Sequence, residues 1–146
     1  MKTVAPDSFN KFLEFCQRFK IDFVFEPYTK YPTGAEWRQH FDGKTPLEYL
    51  YDAGLSFELD VGHVKLASGC PVAWLKKLAG RVPSIHAKPG GGNSVGGDGD
   101  ANDWKAIFSA AAASGTKWAI VECEMRRDTF EDVETSMAFL KSLVTP

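Results

Sequence analysis

The sequence predicts an α/β protein in which one helix is followed by four strand–helix units. Three observations indicate this class: four short apolar runs, a helical segment after each run, and a repeat of about thirty residues, the length of one strand–helix unit. Strands of this kind pair in parallel through right-handed crossovers. Two architectures fit the pattern, an open doubly wound sheet or half of an eight-stranded βα barrel.

The first helix and strand are predicted by a change in hydrophobic period. From Phe9 to Phe19, apolar residues recur at three- and four-residue spacing behind a Pro-Asp-Ser start, which predicts a helix ending near Lys20. The run 21–26 is short, aromatic and β-branched, so it predicts a buried strand that Pro27 ends. The following residues, 28–44, predict a long loop, and long loops are commonly functional.

Start and stop signals delimit the next two units. A helix is predicted from Thr45, an N-cap followed by proline, to Gly54. The apolar run 55–61 predicts the second strand. A proline-led helix over 70–80 and a third strand over 82–87 follow.

The last third of the chain contains a glycine-rich segment and the fourth unit. Six glycines among residues 89–100 exclude a regular element and predict a connector or a mobile lid. A helix capped by Asp103 is expected to end at Gly115, before a strand over 117–122 and a last helix over about 130–143. Three tryptophans on these elements are expected in the core: Trp74, Trp104 and Trp118.

Composition bounds the domain count and the class of partner. The chain has 146 residues, 44% of them hydrophobic, which suits a single domain over 1–146. A formal charge of −2 without a basic block argues against nucleic acid. The pattern predicts neither a membrane-spanning run nor a signal peptide, and the three cysteines form no CxxC pair. We therefore expect a cytoplasmic protein with no nucleic-acid or membrane partner.

Each predicted strand ends in a residue of metal-binding type. These residues are Glu26, Asp60, His86 and Glu122. Because the carboxyl ends of parallel strands meet at one edge of a sheet, we expect the four side chains to converge. Mixed oxygen and nitrogen ligands suit a divalent ion such as Mn²⁺, Mg²⁺, Co²⁺ or Zn²⁺. Glu124, two residues further on the same strand face, is an alternative to Glu122.

Four sequence blocks occur in a fixed order along the chain. They are FELDVGHV from Phe57, GRVPSIHAK from Gly80, GDG from Gly97 and KWAIVE from Lys117. Together they resemble the sugar phosphate isomerase/epimerase family, the xylose-isomerase-like TIM barrels, over about Phe9 to Leu143. The resemblance covers only the C-terminal half of that family's barrel. It therefore implies four parallel βα units that form half of a (βα)8 TIM barrel.

The resemblance implies a divalent-metal-dependent sugar isomerase or epimerase that transfers a proton through a metal-bound enediolate. The implied metal ligands are Glu26, Asp60, His86 and Glu122. Glu26 and Glu122 are also the implied catalytic pair, which exchanges the proton on opposite faces of the substrate. His63 and Lys88, expected to point the same way along their strands as the ligands, are implied to contact a small sugar or sugar-like substrate.

Half a barrel leaves two open strand edges and one uncovered apolar sheet face. The simplest closed arrangement is a homodimer in which each chain supplies four strands. A second polypeptide that supplies the missing half is another arrangement. The functional alternative to an enzyme is a catalytically silent half-barrel that serves as a metal-binding or assembly module, or a fragment of a full-length isomerase.

Overall fold

The computed structural model describes residues 6–20, 24–26, 43–44, 50–66, 69–123 and 129–144. Four parallel strands lie in the order β1-β2-β3-β4: β1 Val24–Phe25, β2 Ser56–Asp60, β3 Ser84–Ala87 and β4 Trp118–Val121. The helices are α1 Pro6–Phe19, α2 Val61–Leu66, α3 Pro71–Lys77, α4 Trp104–Ala113 and α5 Thr129–Val144. The predicted α/β class is confirmed.

Strand order decides between the two architectures that the sequence left open. A doubly wound sheet reverses its strand order at a switch point, whereas these four strands follow chain order without a reversal. The sheet is therefore an open segment of a barrel-like fold. Strands β2, β3 and β4 belong to well-described units, but the helix between β1 and β2 is described only at residues 50–52. The first of the four predicted units thus remains in part a prediction.

Local signals delimit α4 close to where the sequence predicts. The Asp103 carboxylate accepts a hydrogen bond from the backbone N–H of Ala106 at 3.0 Å and caps α4. Gly115, just after that helix, has a φ of +82°, a left-handed conformation that glycine adopts without strain. None of the described helices combines the length and apolar content needed to cross a bilayer.

One helix was not predicted, and it changes the position of His63. The predicted second strand ran to Val61, but β2 ends at Asp60 and α2 begins at the next residue. Asp60 Oδ1 accepts the backbone N–H of His63 at 2.8 Å, as an N-capping side chain does. The expectation that His63 lies on a strand is therefore wrong; it lies in the first turn of α2.

The core lies between the sheet and the helices. Alternate strand residues point to the helix side, and the fully buried ones include Phe57, Leu59, Ile85 and Ala87. The opposite side, which we call the inner face, carries Glu58, Asp60, Ser84, His86, Trp118 and Ile120. Trp118 is 68% exposed and Ile120 is 47% exposed, so the prediction that Trp118 lies in the core is wrong. Its position in the strand alternation points it away from the helices.

The glycine-rich segment folds around the Asp100 carboxylate. Asp100 accepts backbone N–H bonds from Gly90, Gly96 and Asn102 at 2.8–3.1 Å, and the Trp104 indole N–H at 2.5 Å. The segment is irregular, as predicted. These bonds favour the fixed connector over the mobile lid.

Candidate metal centre and active site

The carboxyl edge of the sheet brings together the four residues that the strand ends predicted. Glu26 follows β1, Asp60 ends β2, His86 lies in β3 and Glu122 follows β4. One oxygen or nitrogen atom from each lies within 4.8 Å of every other. Parallel pairing produces this convergence, because Asp60 is in register with His86 and the next strand ends beside them.

The His86 imidazole stands at the centre of the cluster. Its Nδ1 atom lies 2.6 Å from Glu122 Oε2 and 3.2 Å from Glu26 Oε1. Despite the short distance, neither His86 Nδ1 nor Glu122 Oε2 has a hydrogen-bond partner among the described residues, and the same holds for Asp60 Oδ2. All three atoms are buried. Buried polar atoms normally have hydrogen-bond partners, so a bound ion or ligand could satisfy the atoms of this cluster.

The geometry fits a single divalent ion. With metal–ligand distances of about 2.2 Å, two ligands on opposite sides of an ion lie about 4.4 Å apart. The observed limit of 4.8 Å requires only a few tenths of an ångström of movement. Three carboxylates and one imidazole also match the donors that Mn²⁺, Co²⁺ and Zn²⁺ accept, and the carboxylates suit Mg²⁺. The unpaired buried atoms and the types of donor are thus both compatible with one bound divalent ion.

Asp60 is the most deeply buried member of the cluster. Its side chain is completely inaccessible to solvent, whereas the side chains of Glu26 and Glu122 are 40% and 37% exposed. Burial raises the pKa of the Asp60 carboxyl above its ordinary value, and the nearby Glu122 carboxylate acts in the same direction. The backbone N–H of His63, the His63 ring and the Lys88 ammonium oppose this rise. Asp60 is therefore a carboxylate that needs a compensating cation.

Lys88 and His63 lie directly beside the cluster. Lys88 Nζ is 3.1 Å from both His63 Nε2 and Glu122 Oε1, and 3.7 Å from Asp60 Oδ2. The His63 ring in turn places Nδ1 3.0 Å from Asp60 Oδ2. The Lys88 side chain is only 5% exposed, so these contacts are shielded from bulk water. The structure brings both predicted substrate-binding residues to the site.

Close packing holds Lys88 in this position. A methyl group at Gly62, in α2, would lie 2.8 Å from Lys88 Cγ and 2.7 Å from the Pro89 carbonyl oxygen. The absence of a side chain at Gly62 therefore lets α2 pack against the end of β3. From the other side, the Asn102 side-chain amide donates to the Lys88 carbonyl at 3.1 Å.

Sequence reasoning missed Glu58 as a residue near the site. Glu58 Oε2 lies 3.4 Å from His86 Nε2, on the ring edge opposite Nδ1. The signal was present in the sequence, because Glu58 precedes Asp60 by two residues and shares its strand face. Other predicted positions lie outside the described residues: Glu124, the alternative to Glu122, and most of the long loop over 28–44.

Comparisons with known proteins place this geometry in a known fold. No family model matches the sequence, and no curated protein matches it. Among solved structures, a sugar phosphate isomerase/epimerase from Parabacteroides distasonis superimposes with a TM-score of 0.72 at 21% identity, over 95% of this chain and 53% of its own. The chain has the fold of half a sugar phosphate isomerase/epimerase.

A second solved structure gives the same result. Another sugar phosphate isomerase/epimerase from Parabacteroides distasonis matches with a TM-score of 0.60 at 26% identity, over 82% of this chain and 39% of its own. The chain therefore spans about half the length of these structures or less. The predicted resemblance is confirmed as a partial TIM-barrel-like fold.

Proposed function

We propose that the chain is the metal-binding half of a divalent-metal-dependent sugar isomerase or epimerase. The observation that carries the proposal is the convergence of four residues at the carboxyl edge of the sheet, each with a ligand atom within 4.8 Å of the others. Asp60, His86 and Glu122 each have a buried side-chain atom without a hydrogen-bond partner among the described residues. The proposed ligands are Glu26, Asp60, His86 and Glu122. The bound ion, of the Mn²⁺, Mg²⁺, Co²⁺ or Zn²⁺ class, would polarise the carbonyl group of a small sugar.

Exposure separates the proposed roles of the carboxylates. Glu26 and Glu122 are more than one-third exposed at the open side of the cluster, so their carboxylates can reach a substrate. One of them removes the proton from the carbon next to the carbonyl, and the other returns a proton from its own side. Asp60, which is inaccessible to solvent, is limited to holding the ion.

Lys88 and His63 supply the electrostatic part of the proposed mechanism. The Lys88 ammonium, 3.1 Å from Glu122 Oε1, is the cation nearest to a proton-transfer residue among the described side chains. Because its surroundings exclude water, its positive charge stabilises negative charge that develops on a sugar oxygen. His63, which bridges Asp60 and Lys88, keeps the ammonium on the substrate side of the cluster.

Metal content and proton exchange together test the proposal. We expect about one divalent ion per chain by elemental analysis, and incorporation of solvent deuterium into at least one member of a panel of free and phosphorylated ketoses. Glu26→Gln should lower that exchange at least about 100-fold, within the usual contribution of general acid–base catalysis. Glu134→Gln, an exposed glutamate on α5, is the matched control and should exchange at the wild-type rate. A chain that binds no divalent ion contradicts the proposal.

A homodimer is the second part of the proposal. The inner face presents the exposed side chains of Trp118 and Ile120 beside the open edge of β4. An open strand edge has unpaired backbone groups that can hydrogen-bond to a strand of another chain, and exposed apolar side chains favour the same contact. Two copies related by a two-fold axis would pair β4 of each chain with β1 of the other and enclose this face. A light-scattering mass of two chains is the expected result, and a monomer contradicts it.

The alternative proposal is a silent metal-binding or assembly module, or a fragment of a full-length isomerase. The observation that favours it is the exposure of Trp118 and Ile120 on the inner face, since apolar side chains left open to solvent there suit contact with another chain. Wild-type metal binding without deuterium exchange into any ketose would support this alternative over the enzyme. In either case, three free cysteines favour a reducing compartment such as the cytoplasm: Cys16, Cys70 and Cys123.

A further inference from the structure

The inner face is acidic at its carboxyl end. Among the described residues, four carboxylates and one ammonium group lie close together there: Glu26, Glu58, Asp60, Glu122 and Lys88. With neutral imidazoles, the carboxylates outnumber the ammonium group whether Asp60 is ionised or protonated. We call these four carboxylates the acidic end of the inner face.

The same face is apolar along β4. Trp118 and Ile120 point away from the helices and are exposed. Large apolar side chains favour contact with another surface, whereas a carboxylate loses its hydration when a partner encloses it. The two parts of the inner face therefore have opposite effects on closure, the enclosure of this face by a second copy of the chain.

Two-fold closure brings the acidic ends of both copies together. In the proposed homodimer, β4 of each chain pairs in parallel with β1 of the other, so all eight carboxyl ends lie at one mouth. The interior of an eight-stranded barrel is just wide enough for side chains to fill. Like charges that face each other across such a space repel more strongly than in bulk water. The carboxylates of both copies therefore oppose closure of the metal-free protein.

We propose that divalent ions control this closure, so that the inner face binds a second copy weakly without ions and tightly with them. The inference rests on the proposed function, because it uses the same metal centre and the same homodimer. An ion held by Glu26, Asp60, His86 and Glu122 adds two positive charges to each acidic end and so removes most of the repulsion. It also gives a positive neighbour to the buried Asp60 Oδ2, which has no hydrogen-bond partner among the described residues.

Coupling of this kind is reciprocal. If ions strengthen the dimer, the dimer strengthens ion binding by the same free energy. The mass of the assembly and the affinity for the ion are therefore two readouts of one coupling, and neither depends on turnover of a substrate.

Sedimentation equilibrium measures the first readout, at about pH 7.5, which is about one unit above the ordinary imidazole pKa. We expect the dimer dissociation constant to be at least about tenfold lower with saturating Mn²⁺ than with EDTA, within the usual range of such couplings. Sodium chloride matches the ionic strength of the two buffers, because salt by itself screens charge. Equal dissociation constants overturn the inference.

Titration calorimetry with Mn²⁺ measures the second readout. The wild type should bind Mn²⁺ more tightly at a protein concentration above the dimer dissociation constant than at one below it. His86→Ala removes a proposed ligand and leaves every carboxylate in place, so it should weaken Mn²⁺ binding and lose the effect of Mn²⁺ on dimerisation. If His86→Ala no longer binds Mn²⁺ but its dimer still responds fully, the inference is wrong.

Glu58→Gln tests whether charge is the cause. Glu58 belongs to the acidic end but not to the proposed ligand set, and the substitution removes one negative charge from each copy at nearly constant size. We expect the metal-free dimer to be at least about threefold tighter than that of the wild type. Glu134→Gln, which neutralises an exposed glutamate on α5, is the matched control and should leave the dissociation constant unchanged. A metal-free dimer that Glu58→Gln does not strengthen contradicts the inference.

The outcomes separate the inference from the proposed function. If no Mn²⁺ binds, the metal centre fails and the inference fails with it. If Mn²⁺ binds but the protein stays monomeric with and without it, the metal centre stands, while the homodimer and the inference are wrong. If the dimer is equally tight with and without bound Mn²⁺, both parts of the proposed function stand and only the coupling is wrong. Circular dichroism confirms that each variant has folded before it is compared.

Discussion

The carboxylates at this sheet edge lie close together, but they differ in solvent exposure. Glu26 and Glu122 are partly exposed, whereas the Asp60 side chain is inaccessible. A buried carboxylate loses its hydration, and its remaining neighbours must compensate for that loss. At Asp60 they do so only in part, because the net effect is a raised pKa with burial as the main cause. In the metal-free protein, the Asp60 charge is therefore a cost to stability.

Asp60→Asn should stabilise the metal-free protein at neutral pH and abolish its stabilisation by divalent ions. The amide keeps the size of the side chain and an oxygen for the His63 N–H, and it removes the buried charge. We expect an increase in unfolding free energy on the order of 1 kcal/mol, opposite in sign to most substitutions. Urea denaturation with and without Mn²⁺ measures both effects. A less stable metal-free variant would contradict the argument.

The sign of the pH dependence follows from the same burial. Because the pKa of Asp60 is higher in the folded than in the unfolded protein, the folded state retains the proton as pH rises through the ordinary aspartate value. The Asp60 contribution to stability therefore falls between the ordinary pKa and the raised one, and is most favourable below both. Asp60→Asn should flatten the stability profile across this interval, as urea midpoints at several pH values would show.

At the scale of elements, the glycine-rich connector links β3 to α4 and α5. Its central residue Val95 is fully buried and donates its backbone N–H to Ser136 Oγ at 2.8 Å, which ties the loop to α5. At the end of the loop, the Asp100 carboxylate accepts hydrogen bonds from the backbone N–H groups of Gly90 and Gly96 and from the Trp104 indole. Asn102, beside Asp100, bonds to the carbonyl of Lys88. The loop thus connects the helix layer to Lys88.

Asp100→Ala should destabilise the protein by about 2–4 kcal/mol, because it leaves several donors without their charged acceptor. Amide hydrogen exchange at Gly90 and Gly96 should accelerate more than exchange in β2. Asp98→Ala is the matched control: this aspartate is in the same loop and exposed, and its loss should change stability by less than about 0.5 kcal/mol. Equal effects of the two substitutions would show that the hydrogen bonds to Asp100 contribute little.

At the scale of the whole molecule, the sheet is covered by helices on one side only. The helix side buries Phe57, Leu59 and Ile85, while Trp118 and Ile120 stand exposed on the inner face. Large apolar side chains in one exposed group are typical of interaction surfaces. The chain covers 53% and 39% of the length of the two similar solved structures, so each of these is about twice as long or longer. The open face is therefore the surface at which the homodimer is proposed to close.

Trp118→Lys should weaken self-association by roughly 30-fold or more, since a central tryptophan in an interface commonly contributes at least about 2 kcal/mol. Sedimentation equilibrium over a range of concentrations measures the change. Phe130→Lys is the matched control, because Phe130 is 90% exposed but lies at the start of α5, outside the sheet. A Trp118→Lys protein that still dimerises with wild-type affinity would exclude the inner face as the interface.

The fold class, the order of the four strands and the strand-end residues that converge could all be predicted from the sequence. These features depend on local signals: hydrophobic period, caps such as Asp103, and stops such as Gly115. Because parallel strands bring their carboxyl ends to one edge, strand assignment alone was enough to predict that Asp60 and His86 would be neighbours.

Features that depend on which face of an element is covered could not be predicted from the sequence and became visible only in the folded chain. The strand pattern predicts that Trp118 is a core residue, but no described helix covers its side of the sheet. Likewise, α2 begins where the Asp60 side chain caps it, and Glu58 becomes a neighbour of His86 only through the register of two strands. Local sequence specifies the hydrophobic period and the residues at which helices and strands end. The exposure of a side chain and its contacts with a neighbouring strand depend on residues distant in the chain.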